Sequence, residues 1–132
     1  MLALLALLAS CDRPRERCGF CGMKIDRKSP WTAELMGQDG GTQTFDSPRC
    51  ALLAWRMGHV AAASLRVQDY YDRAWHPGSD VLFVASSDVL GPMGPDLVPV
   101  DRARAQQFAR EHTGTRPLAI DDVTLELLKQ LQ

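Results

Sequence analysis

WTAELMGQDGGTQTFDSPRCALLAWRM (Trp31–Met57) decides the fold. Trp31 to Met36 has the residue types of a strand, Gly37-Gln38-Asp39-Gly40-Gly41 is a turn cluster, and Thr42 to Phe45 continues as a second strand. Together they read as a β-hairpin. Asp46-Ser47-Pro48 then opens a helix. A short oxygen-bearing side chain can accept from a free amide of the first turn, and a proline there loses no hydrogen bond. The helix runs to about Met57 and stops at Gly58. Beyond it, Ser64 to Tyr70 (SLRVQDY) alternates apolar and polar with period two, as a half-buried strand does.

The second half repeats the plan. Asp80 to Ala85 (DVLFVA) is a buried strand, the loop SSDVLGPMGPD follows, and Leu97 to Val100 returns as a strand. Asp101 caps a helix from about Arg102 to Glu111, ended by Gly114, and Leu118 to Ile120 is a short strand. A last helix, about Asp122 to Leu131, puts Val123, Leu127, Leu128 and Leu131 on one face, with Asp121-Asp122 as its cap. Phe45-Asp46 and Val100-Asp101 are 55 residues apart, and Gly58 and Gly114 are 56 apart. The expected fold is α+β: a tandem pair of ββαβ units, about 18–76 and 80–132, packed as one small domain with a C-terminal helix. Neither unit is large enough to bury its own apolar face alone.

Composition agrees with a single domain. The chain has 132 residues, 45% of them apolar, and 15 basic residues against 16 acidic ones for a formal charge of −1. That balance excludes a broadly basic nucleic-acid binder. The length excludes an enzyme carrying its own dinucleotide domain, and the longest apolar run is too short to span a bilayer.

Met1 to Ala9 (MLALLALLA) is wholly apolar and is followed by Ser10, Cys11 and the charged DRPRER. Residues 1–10 read as an export signal, although no Lys or Arg precedes the apolar run. Leu8-Ala9-Ser10-Cys11 resembles the lipobox of bacterial lipoproteins, in which Cys11 would be lipid-modified and become the mature N-terminus. Residues 11–17 are then a charged, proline-broken tether, and 18–132 form the folded domain.

The sulfur residues carry the chemistry. In Cys21-Gly22-Met23 a thiolate and a thioether sit two residues apart, with a glycine that lets the backbone bend between them. Both donors are soft, which favours Cu(I) over Mg, Ca or Mn, and a thioether is a poor zinc ligand. The competing reading makes Met23 a core gap-filler beside a Cys18–Cys21 disulfide, the default for C-x-x-C in an exported protein. Met93 shifts the balance: Gly91-Pro92-Met93-Gly94-Pro95 holds a methionine on a stiff turn, where it can meet a metal or a partner. Met36 and Met57 lie within a strand and a helix and read as packing. Cys50, one turn into the first helix, suits a buried small hydrophobe, with a second role as a ligand. Cys18 and His112 are further candidate donors, whereas His59 and His76 lie in loop-like segments. Neither a Ser-His-Asp order, nor a phosphate loop, nor H-E-x-x-H occurs, so the chain does not read as an enzyme.

Cys11, Cys21-Gly22-Met23-Lys24-Ile25, Thr44-Phe45-Asp46, Pro92-Met93-Gly94, Asp96-Leu97-Val98-Pro99 and Phe108-Ala109 with His112 follow one another in an order that resembles the NosL family, the accessory lipoproteins of nitrous oxide reductase. The resemblance implies a tandem ββαβ fold distantly like organomercurial lyase. It also implies a periplasmic Cu(I) chaperone, lipid-anchored to a membrane (the outer one by expectation). Such a protein passes copper to nitrous oxide reductase with the associated membrane transporter complex. Carried over, the copper ligands are Cys21, Met23 and Met93. Cys18 is a departure from many members. Copper would move by ligand exchange: a site with one thiolate and two weak thioethers holds Cu(I) without trapping it.

Two rivals stand beside this reading. Cys18-x-x-Cys21-Gly-Met with Phe45-Asp46-Ser47-Pro48-Arg49-Cys50 looks like YHS or TRASH domains. In that case Cys18, Cys21, Asp46 and Cys50 would close a tetrahedral zinc or heavy-metal site. An organomercurial-lyase-like activity, built on Cys21 and Cys50 with a nearby acid, rests on fold analogy alone.

Overall fold

The computed structural model describes residues 16–131. The signal-peptide reading of 1–10, the lipidation of Cys11 and most of the 11–17 tether therefore lie outside the described residues.

Strands β1 (Ala33–Gly37) and β2 (Thr42–Phe45) form the expected hairpin, in register Ala33 with Phe45 and Leu35 with Gln43. The turn closes through Gly37 N–H to the Gly41 carbonyl at 2.7 Å. Helix α1 (Pro48–Arg56) follows, then β3 (Ala62–Gln68) and β4 (Trp75–Pro77). The four strands make an antiparallel sheet in the order β2-β1-β3-β4. Alternation puts Ala33, Leu35, Phe45, Leu65 and Val67 on the inner face, all buried. Glu34 and Arg66, paired across the sheet at 3.2 Å, take the outer face. α1 covers the inner face with Ala51, Leu52 and Ala54.

A second ladder pairs β5 (Val81–Val84) with β8 (Val98–Asp101), antiparallel, Val84 opposite Val98. Between them β6 (Leu90–Gly91) and β7 (Gly94–Pro95) form a two-residue-wide hairpin turning at Pro92-Met93. From the sequence this segment reads as a loop; the structure pairs its two arms. Gly94 has φ +107°, a conformation that a side chain would strain, which is why glycine closes this turn. Helix α2 (Ala105–Glu111) and helix α3 (Leu125–Gln130) complete the chain, with a single 3-10 turn at Ile120–Asp122 before α3.

Four further elements differ from the sequence expectation. The strand expected at Leu118–Ile120 is one bridge, Leu118 to Phe83, made by reciprocal hydrogen bonds of 2.8 and 2.9 Å. Pro117 has no N–H to extend it, and Asp122 N–H turns back to the Ala119 carbonyl at 2.9 Å. α2 starts at Ala105 because the Asp101 carboxylate accepts from Ala103 N–H at 2.8 Å and closes a turn first. The cap of α3 is Thr124, which accepts from Leu127 N–H at 3.2 Å; Asp121 and Asp122 belong to the turn before it. β4 has no counterpart in the sequence reading; it adds a third rank to the β1–β3 pairing by setting Val67 opposite His76.

The larger core joins both halves of the chain: Leu35, Phe45, Leu52 and Leu65 pack in one cluster with Phe83, Leu97, Val123 and Leu128. Arginines on α1 fasten the C-terminal segment to it. Arg56 donates to the Ile120 and Val123 carbonyls at 2.8 and 3.2 Å, and Arg49 donates to the Leu128 carbonyl at 3.3 Å. A smaller cluster, centred on Phe108 with Val84, Val98 and Val100, is flanked by Tyr70 and Tyr71. Among the described residues no helix is long and apolar enough to cross a membrane.

Candidate metal centre

The centre forms where a short loop meets the start of α1. Arg17 and Lys24 bridge antiparallel, Cys18 N–H donates to the Met23 carbonyl at 2.8 Å, and Gly22 N–H donates to the Cys18 carbonyl at 3.1 Å. Cys18–Met23 is thus a tight reversal. Gly22, at φ +76°, occupies the left-handed conformation that lets it close. Gly19 N–H donates to the Thr44 carbonyl at 3.3 Å and docks the loop on the end of β2. β2 then delivers Asp46. Ser47 caps α1 by accepting from Cys50 N–H at 3.2 Å, which fixes Cys50 in the first turn.

As a result one ligand atom each from Cys18, Cys21, Asp46 and Cys50 lies within 4.8 Å of every other. Cys18, Cys21 and Cys50 are free thiols, so the disulfide default for Cys18–Cys21 does not describe this structure. Cys18, Asp46 and Cys50 are buried and Cys21 is half-buried. The Cys21 thiol donates to Asp46 Oδ2 at 3.2 Å. Asp46 Oδ1 is buried without a hydrogen-bond partner. An unmatched buried oxygen costs free energy, on the order of 1–3 kcal/mol, unless a cation or a proton meets it.

The thiols divide into a donor and an acceptor. Cys50 donates to Cys18, and with amides of the loop this holds the Cys18 thiol down at about 6 against the opposing effect of burial. The same bond, with burial, pushes the Cys50 thiol far up. Burial chiefly, helped by Asp46 and Cys18, raises Cys21 to about 11. The donor set fits a thiophilic cation. Metal–sulfur bonds of about 2.3 Å in a tetrahedron place donors about 3.8 Å apart, so a modest contraction closes the set.

The thioethers lie outside this buried group. Met23 is exposed at the end of the loop, and Met93 is exposed at the tip of the β6–β7 hairpin. Met23, Asp46 and Pro92 line one small cavity of about 90 Å³, so the hairpin turn abuts the loop and Met93 stands one residue beyond the cavity wall. Of the other expected donors, His112 is engaged elsewhere: Nδ1 bonds Asp88 at 2.8 Å and the ring stacks on Phe108 at 4.4 Å. His59 stacks on Phe20 at 6.0 Å, and His76 meets Asp72 at 3.4 Å. Met36 is partly buried in β1, whereas Met57, read as packing, is exposed just past α1.

Asp96, part of the motif Asp96-Leu97-Val98-Pro99, has a structural role that the motif alone does not show. Its carboxylate accepts from Arg49 N–H at 3.0 Å, from Leu97 N–H at 2.8 Å and from the Ser47 hydroxyl, tying the base of the β6–β7 hairpin to the first turn of α1. Burial raises it to about 6. The available signal was an acid set between Pro95 and the apolar run Leu97–Val100, where a charge needs a built partner set.

The family model of NosL matches residues 13–128. No curated protein matches the chain. Among solved structures, the crystal structure of the copper chaperone NosL from Shewanella denitrificans is similar, with a TM-score of 0.73 at 20% identity over 84% of this chain and 91% of that one.

Proposed function

The chain belongs to the NosL family, and on that premise we propose that it is a periplasmic Cu(I) chaperone which delivers copper by ligand exchange for the maturation of nitrous oxide reductase. One observation carries the reading: three free thiols converge beside an exposed thioether, in a fold shared with a copper chaperone. Thiolates and thioethers are the donors that select Cu(I).

Copper is the cargo, held on this reading by Cys21, Met23 and Met93. Cys21 is the bridge between buried and exposed sulfur, and the two thioethers stand where an incoming protein can reach them. A recipient donor enters, one thioether leaves, and Cu(I) passes over without ever being free in solution. The lipid anchor at Cys11 would keep the carrier at the membrane beside the transporter complex. Confinement of this kind raises effective concentration without any new contact.

The test is Cu(I) competition against a chromogenic chelator, followed by transfer to copper-free nitrous oxide reductase. Met93→Ala is expected to weaken Cu(I) binding at the Cys21–Met23–Met93 site at least tenfold with zinc binding unchanged. Absence of Cu(I) uptake by the reduced wild-type chain would end the proposal. A second reading has a specific observation in its favour, the mutual approach of Cys18, Cys21, Asp46 and Cys50. That set suits a YHS- or TRASH-like zinc or heavy-metal module. Loss of all metal binding in Cys50→Ser, with zinc preferred over Cu(I), selects it.

A further inference from the structure

We propose that the chain has two copper stations that share Cys21: a buried one made by Cys18, Cys50 and Cys21, and an exposed one made by Cys21, Met23 and Met93. The proposal rests on the copper-carrier reading and concerns where the cargo sits while it is held and while it is given up.

The first argument is burial. Cys18 and Cys50 are 4% and 3% exposed, so no recipient side chain can touch a metal held between them. Met23 and Met93 are 39% and 59% exposed, so a metal held there is open to capture. A carrier has to retain its metal and also release it, and one site cannot be optimal for both. Cys21, half-buried between the two sets, belongs to each.

The second argument is the donor count. The three thiols of the cluster, the Met23 thioether on the same loop and the Met93 thioether, next to the Pro92 that shares a cavity with Met23 and Asp46, make five sulfurs. Two three-coordinate Cu(I) ions sharing one bridging thiolate need that number. The third argument is Asp46. Its Oδ1 is buried, unpartnered and within the thiol group, so the interior of the cluster is an incomplete polar site and not a sealed apolar core. A carboxylate oxygen is too hard to prefer Cu(I), so Asp46 is not a ligand; it accepts from the Cys21 thiol in the metal-free chain, a bond that ends when Cys21 binds copper as the thiolate.

Movement between the stations conserves electrons. Copper remains Cu(I), keeps its bond to Cys21, gives up its bonds to Cys18 and Cys50, and gains bonds to Met23 and Met93. The two thiolates left behind take up one proton from solvent, which Cys50 carries and donates to Cys18 as in the metal-free chain.

The experiment is anaerobic titration of the reduced full chain with Cu(I) against a chelator, with X-ray absorption at saturation. The wild type is expected to bind two equivalents in two separable steps, with an all-sulfur first shell and a copper neighbour in the second. Met93→Ala should keep the tighter step and lose the weaker one, and the Cys18→Ala/Cys50→Ala variant should do the reverse. Saturation of the wild type at one equivalent, with binding unchanged in the double variant, overturns the two-station arrangement and leaves the carrier function standing. No Cu(I) uptake at all overturns both. If circular dichroism shows that the double variant is unfolded, the stoichiometry and the copper–copper scattering of the wild type decide.

Discussion

Replacing Asp96 with Asn should remove a pH dependence from stability that can be sized from the structure. The Asp96 carboxylate is buried and its ionisation lies at about 6, against an ordinary value of 3.8. Burial is the main cause, and it outweighs the donors from Ser47, Leu97 and Arg49. Between those two pH values the folded chain keeps a proton on Asp96 that the unfolded chain releases. The folded state then binds more protons, so unfolding free energy falls as pH rises. The contribution is fully present below pH 4 and lost by the time pH passes 6. A shift of about two units, at about 1.4 kcal/mol each, amounts to about 3 kcal/mol. Urea unfolding of wild type and Asp96→Asn from pH 3.5 to 7.5 measures it. Other carboxylates contribute equally to both proteins and cancel in the difference, as does any fixed cost of giving the three donors an amide oxygen. The stability of wild type relative to the variant should decline by about 3 kcal/mol across the window. A flat difference would refute the claim that burial dominates at Asp96.

Three further outcomes follow from the same structure. One thiolate per chain should titrate near pH 6 by ultraviolet absorbance, and Cys50→Ala should move it upward, because the hydrogen bond from Cys50 is the largest cause of the low Cys18 value; an unmoved midpoint contradicts that assignment. Phe108→Ala, at the fully buried centre of the smaller core, should cost about 3–5 kcal/mol in denaturant unfolding, and a loss under 1 kcal/mol would mean that this cluster is not close-packed. Met93→Ala should leave stability within about 0.5 kcal/mol of wild type despite its effect on copper, since an exposed hairpin tip contributes little packing, and a larger loss would place Met93 in the fold and not at its surface.

The local grammar of the chain was readable without coordinates wherever the determinant was itself local. The hairpin of Trp31–Phe45, the Ser47 cap followed by Pro48, and the burial of Val81–Val84 each follow from period, turn residues and cap chemistry. Reading failed where one residue competed with its neighbours for the same hydrogen bond. Asp101 looked like a helix cap and instead closed a turn with Ala103, and Thr124 capped the last helix in place of Asp121 and Asp122. The sulfur donors were visible as residue types. Their division into a buried thiol group and exposed thioethers was not, because it depends on a loop, a strand end and a helix start meeting in space.

Composition and motif alone therefore determined a small α+β chain with soft metal donors and the family to which it belongs. Only the tertiary structure decided that Cys18 faces Asp46 and Cys50 across more than 25 residues of intervening chain, that the Cys18 thiol is held below the ordinary thiol range, and that Asp96 links the Met93 hairpin to the helix carrying Cys50. The physical reason is that donor type is a property of a side chain, whereas acidity, accessibility and mutual distance are properties of the surroundings that folding creates.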